Sequence, residues 1–277
     1  RLVEIAKKYD KWILSDEIHF DLVRKGVKHT PLLKICPEYA DKVVVCTAPS
    51  KTFNLAGMQI SNIVIHDPEL QEKWLGLVDD CWGMMMPNAM GVTAMMAAYT
   101  QGEEWLDQVI AYIDENMKAA CAYVKENLPK ARMDYPEGTY LLWLDLSEYC
   151  GDPEKLAEIM LKKAKVVLDD GYIFGPEGNG FERINVACPR SILMDCLERI
   201  KTALEEAVEE QDTERKIGEE MAARVNILQD VSKELAERLG REPKVEELAE
   251  RMKMTPDQIK EIMKVTMDAL SITGEEG

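Results

Sequence analysis

No two cysteines in the chain stand at CxxC spacing, and the seven present (Cys36, Cys46, Cys81, Cys121, Cys150, Cys188, Cys196) are scattered and odd in number. This argues against a zinc framework or a disulfide scaffold and fits reduced thiols in a cytoplasm. No apolar run approaches the roughly 18 residues of a membrane-crossing helix, and no secretory leader is read at the start. An excess of positive charge is missing too. Against 34 Lys and Arg stand 51 Asp and Glu, for a net charge of -17. Such a chain is a poor general binder of nucleic acid or of an anionic membrane. Internal repeats and low-complexity linkers are lacking. The chain opens on Arg1 rather than Met, inside the helical pattern "RLVEIAKKYD" with no cap before it, and we read it as a piece of a longer protein.

What is present suffices for one large or two ordinary domains: 277 residues, 46% of them hydrophobic. Short apolar runs, "KWILSDEI", "DKVVVCTA" and "SNIVIHDP", read as buried strands of a mostly parallel sheet under helices. From Asn88 to Leu128 the pattern is helical, interrupted near Gln101–Gly102 and stopped by Pro129. The methionines of "GMMMPNAMGVTAMM" read as core packing. "GTYLLWLDLS" and "FERINVAC" read as strands, "KLAEIMLKKAKV" and "SILMDCLERIKTALEEAVEE" as helices, and "PEGNG" as a flexible loop near the site. The first 210 residues are therefore α/β. From Asp212 onward no strand is read. Helices are expected over about 219–239, 245–252 and 256–267, with apolar Ile227, Val231, Leu235, Leu248, Met252, Ile259 and Ile262 facing a small helix-turn-helix-like core. Thr255, Pro256 and Gln258 form a capping-box start.

Asp16 and Lys51 each follow the carboxyl end of an expected parallel strand, the edge where open α/β sheets bind ligands. A desolvated lysine there is a nucleophile able to form a Schiff base. A buried acid on the neighbouring strand end is what a pyridoxal phosphate site needs to keep the pyridine nitrogen protonated. A solvated turn lysine and a capping acid are the alternatives.

At these residues a resemblance becomes specific. "SDEIHFDLV" followed by "APSKTFNLAG" resembles the fold-type I pyridoxal-phosphate enzymes, within the class I/II aminotransferase family, and most of all its MalY/PatB-type C–S β-lyases. The resemblance covers residues 1–205 or so. It implies a partial large domain (1–115) and a small C-terminal α/β domain (116–211), ahead of the three-helix tail (212–277). It gives Lys51 the cofactor Schiff base, Asp16 the pyridine nitrogen and His19 a place near the phenolic oxygen. Ser50 and Thr47 could bond the phosphate, or simply cap the turn. "GFERINVACPRS" resembles the family's late strand, which makes Arg183 the grip on the substrate α-carboxylate, with Arg190 its nearest rival. The implied reaction is β-elimination from cystathionine or a cysteine conjugate to a thiol, pyruvate and ammonia, with transamination the alternative. A homodimer is implied as well. The family's phosphate loop, its ring-stacking aromatic and an asparagine near the phenolic oxygen find no place in the 15 residues before Asp16, so the isolated piece is expected to be inactive.

The tail segment "VSKELAERLGREPKVEELAERMKMTPDQIKEIMKVTMDALSI" resembles region 3 of primary sigma factors, with Lys244 where a Thr usually caps the second helix. Residues 212–277 hold 16 Asp and Glu against 11 Lys and Arg, a net of -5. That suits contact with RNA polymerase or another protein better than autonomous DNA binding. A transcription-associated protein with a degenerate enzyme domain is the competing reading.

Overall fold

The computed structural model describes residues 1–84 and 86–273, with side chains through residue 264. Expectations for Met85 and for residues 274–277 lie outside the described residues. The chain divides into two compact units, Arg1–Ala203 and Leu204–Gly277.

In the first unit, helix α1 (Leu2–Lys8) leads into strand β1 (Ile13–Asp16). A short helix α2 (Leu32–Ile35) precedes β2 (Val43–Thr47), and Lys51 lies in a single helical turn, α3 (Pro49–Thr52), followed by β3 (Asn62–Ile65). These strands form one sheet in the order β1-β2-β3. β1 and β2 are parallel, with Asp16 level with Cys46. β3 runs antiparallel to β2, which corrects the mostly parallel expectation: a two-face apolar run carries no information about strand direction. One face of the sheet is packed, with Ile13, Val43 and Val45 buried against Ala6 and Cys36. Leu14, on the opposite face, is 72% exposed.

Helix α4 (Pro68–Gly76) starts at Asp67, whose carboxylate accepts from the Leu70 N–H, and α5 (Ala89–Gln101) starts at Asn88, which accepts from Gly91. Four of the methionines read as core packing are not core. Met84, Met86, Met90 and Met96 are exposed, Met86 by 87%, because α5 buries only Gly91 among its residues. Helix α6 (Glu103–Asn127) buries Ile113, Met117, Ala120 and Val124 at spacings of four and three, the stripe of an amphipathic helix.

A second, antiparallel sheet has the order β4-β5-β7-β6, formed by β4 (Arg132–Met133), β5 (Leu141–Asp145), β6 (Asp169–Asp170) and β7 (Phe181–Asn185), with helix α7 (Pro153–Glu158) between β5 and β6. Leu142, Leu144, Glu182 and Ile184 point to its buried face. By strand alternation Trp143, Phe181, Arg183 and Asn185 share the other face. The "PEGNG" stretch is a tight turn rather than an open loop. Gly178 and Gly171 pack backbone to backbone, and a Cβ on Gly178 would lie 2.0 Å from the Gly171 carbonyl oxygen.

Helix α8 runs unbroken from Arg190 to Leu239, so the expected break near 212 is absent. The stretch holds strong helix formers, and Arg215 pairs with both Asp212 and Glu219 across the expected junction. In the second unit, Gly240 ends α8 at φ +69°, and α9 (Val245–Met252) and α10 (Pro256–Thr273) follow. Leu228, Leu235, Leu248, Ala249, Ile259 and Ile262 form its core. Ile227, expected there, is 52% exposed; its neighbour Leu228 takes the place. The Thr255 hydroxyl accepts from the Gln258 N–H, and the Gln258 side chain accepts in return from Thr255 N–H, the reciprocal cap read from "TPDQ". At α9 the ammonium of Lys244 has nothing to accept with. Glu247 alone closes that cap, accepting from the Lys244 N–H at 2.7 Å and from Arg241, and these bonds hold its carboxyl down at about 2.

Candidate active site

Asp16 ends β1 and the loop after it carries His19, and three side-chain ties pin that loop. Glu17 accepts from the Leu32 N–H at 2.9 Å, meets the His29 Nε2 at 2.8 Å and takes a bond from the Ser15 hydroxyl. Asp21 accepts from the buried Thr52 hydroxyl at 3.2 Å, joining this loop to the turn that holds Lys51. Burial pushes the Asp21 carboxyl up from its ordinary range. Asp16 Oδ1 accepts from the Ile18 N–H at 3.1 Å.

Three of the expected site residues act electrostatically on a fourth, His19. Burial lowers its pKa most; Lys51 and Arg183 lower it further, and Asp16 opposes them. All three charged groups therefore lie within electrostatic reach of this imidazole, whose burial favours the neutral form. Its ring centroid lies 5.3 Å from that of Tyr140, and its buried Nδ1 has no hydrogen-bond partner. Each ring of the pair lines an opening of its own. One, of about 560 Å³, is lined by Ser15, Asp16, Glu17, His19 and His29. The other, of about 710 Å³, is lined by Lys51, Trp105, Tyr112, Tyr140 and Asn185 among others.

Lys51 and Asp16 are exposed, which corrects the expectation of a desolvated lysine and a buried acid. Asp16 shares the open face of β1 with Leu14, two residues earlier, and no described element covers that face. Ser50 lies beside Lys51 in α3, its hydroxyl in no hydrogen bond among the described residues. Thr47 is engaged, accepting from Asn62 at 3.3 Å.

Arg183 projects from β7 and donates to Asp169. Its rival Arg190 is spoken for: its Nε donates to the Asn116 side-chain oxygen at 2.9 Å. Asn116 is fully buried, and its amide also donates to the Val186 and Cys188 carbonyls at 2.9 and 2.8 Å. Asn116, Tyr140, Asp21 and Asp169 all escaped the sequence reading. For Asn116 a signal existed: it lies on the Ile113–Met117–Ala120 stripe, where an asparagine must be satisfied internally. Among the described residues no cluster of His, Cys, Asp and Glu could hold a metal, and no helix is long and apolar enough to cross a membrane.

Residues 1–200 match the family model for aminotransferase class I and II. The chain belongs to that family. It is 44% identical over 204 residues to cystathionine beta-lyase PatB of Bacillus subtilis, covering 74% of this chain and 52% of the relative. Protein MalY of Escherichia coli is 30% identical over 192 residues, 69% of this chain and 48% of the relative. Among solved structures, pyridoxal-phosphate-containing cystalysin from Treponema denticola superposes with a TM-score of 0.70 at 40% identity, covering 73% of this chain and 51% of that one. The fold is thus that of the fold-type I pyridoxal-phosphate enzymes. The chain spans about half the length of these relatives. Residues 223–277 match the model for Sigma-70 region 3.

Proposed function

We propose that this chain carries part of the active site of a pyridoxal-phosphate-dependent C–S β-lyase, which eliminates a thiol from cystathionine or a related cysteine conjugate. What supports the reading is the 44% identity over 204 residues to a protein named cystathionine beta-lyase PatB, together with the electrostatic reach of Lys51, Asp16 and Arg183 to His19. The residues fit the cofactor. The unpartnered, buried His19 Nδ1 wants a polar partner, Asp16 offers a carboxylate to a pyridinium N–H, Ser50 offers an unengaged hydroxyl to the phosphate, and Lys51 is the amine that attaches a carbonyl carbon.

When bound, the cofactor supplies an electron sink that makes the substrate α-proton acidic and the Cβ–S bond labile. The chain's own residues do the rest. Arg183 orients the substrate α-carboxylate through charge-assisted hydrogen bonds. The Lys51 amine takes the α-proton as general base and returns a proton to the departing sulfur. Asp16 keeps the pyridine nitrogen protonated. The Cβ–S bond breaks, the thiol leaves, and the released three-carbon enamine takes up water to give pyruvate and ammonia. The relatives named as cystathionine beta-lyases support elimination over transamination.

The decisive test is spectroscopic. Incubated with pyridoxal phosphate, the protein develops the visible absorbance of the lysine-bound cofactor, and Lys51→Ala abolishes it. Absence of that band in the wild type sinks the enzyme reading. Pyruvate released from cystathionine without an amino acceptor marks a lyase. The proposal includes a cytoplasmic homodimer, supported on the first count by seven free thiols and testable on the second by light scattering. It also includes a polymerase-facing role for the tail, supported by the match over residues 223–277 and testable by pull-down with core RNA polymerase.

A further inference from the structure

Arg183 is gripped on two sides. Asp169 lies directly opposite it in the β6–β7 register, and both Nε and Nη2 of Arg183 donate to the same oxygen, Asp169 Oδ2, at 3.0 and 2.9 Å. The guanidinium carbon stands 4.6 Å from the centre of the Phe174 ring. Phe174 meets Trp143 edge-on, and Trp143 stacks on Phe181, each pair 5.5 Å apart. Edge and face of the guanidinium are both fixed.

A guanidinium has five N–H donors in a planar fork. The side edge, Nε with one Nη2 hydrogen, is used by Asp169. The end edge, Nη1 with the other Nη2 hydrogen, retains its parallel pair of donors, and among the described residues no other acceptor is bonded to it. That free edge has the geometry for bidentate capture of a carboxylate. We propose that Asp169 is a positioning residue: it clamps Arg183 side-on so that the end-on edge is presented to the α-carboxylate of the amino-acid substrate. The inference rests on the reading of Arg183 as carboxylate anchor and adds the group that aims it. Phe174 backs the guanidinium, and Asp169 fixes which edge is left free.

The test uses the full chain with pyridoxal phosphate and needs no turnover. Arginines are labelled with phenylglyoxal, and the fraction modified at Arg183 is read by peptide mass spectrometry over a series of L-alanine concentrations. Labelling of Arg199, bonded to the Ala164 and Lys165 carbonyls, reports whether each variant is folded. In the wild type, alanine protects Arg183. In Asp169→Ala, where the freed side chain must be ordered at each binding event, half-protection needs about tenfold more alanine. Asp169→Asn keeps an acceptor oxygen and stays within about threefold of wild type. Equal protection in Asp169→Ala and wild type overturns the role of Asp169 alone. Asp169→Asn as weak as Asp169→Ala also overturns it, since charge and not aim would then matter. No protection in the wild type overturns the anchor reading of Arg183 and the positioning role with it.

Discussion

In the four-stranded sheet Leu144 is 0% exposed and Leu142 is 1%. In the three-stranded sheet Leu14 is 72% exposed, and Asp16 shares its open face. The two sheets carry the two ends of one proposed site, and they differ in how much of its support this chain supplies. Arg183, on the packed sheet, is fixed by Asp169 and Phe174. Asp16 and Lys51, on the one-faced sheet, stand in solvent. A substrate-gripping half can thus be preorganised at the side chain itself, while in the cofactor half the Glu17 and Asp21 bonds hold the loops but leave the side chains of Asp16 and Lys51 open. The comparison predicts very different costs for the same truncation. Leu144→Ala should destabilise the first unit by about 2–5 kcal/mol, transfer loss plus cavity, whereas Leu14→Ala should stay within about 0.5 kcal/mol. Denaturant melts of the two variants decide it, and equal losses would mean that the face of Leu14 is covered in solution.

The packed sheet also holds a cost of its own. Glu182 is 1% exposed, its Oε2 has no partner, and burial, then Asp170 and Asp169, push its carboxyl up to about 7. The folded state therefore holds this proton more tightly than the unfolded chain, whose carboxyl titrates near 4.5. Stability must fall as pH rises from about 4.5 to 7, and the penalty is full above that window. At about 1.4 kcal/mol per unit, the ionised group costs about 3 kcal/mol. Glu182→Gln should be more stable than wild type by that amount at pH 8 and indistinguishable from it near pH 4. A pH-independent difference would place the effect in packing instead.

These contrasts track what the sequence could reveal. Lys51 was visible because a turn lysine after "KVVVC" is a local pattern, and Asp16 because a strand ends at it. Their exposure was not visible, since burial depends on what covers a face and not on the strand's own residues. Asp169 was hidden for a different reason. β6 is two residues long, too short for any periodicity, and only the register with β7 sets Asp169 against Arg183. The exposed methionines of α5 show the limit from the other side: apolar composition promised a core that helix packing does not provide.

The second unit inverts the pattern, for its caps and stops are local signals legible in sequence, while the continuity of α8 is not. Gly218 sits in the middle of that helix, and a Cβ added there meets nothing within 4 Å. In an uninterrupted helix Gly218→Ala should therefore stabilise by about 0.5–1 kcal/mol, through the lower backbone entropy lost on folding. Were the chain broken between the separate helices expected up to Glu210 and from about 219, the same change would fall in a loop and do almost nothing to helicity. Far-UV circular dichroism through the thermal transition separates the two: a raised midpoint with unchanged folded-state helix content supports the single helix, and an unchanged midpoint argues for the break.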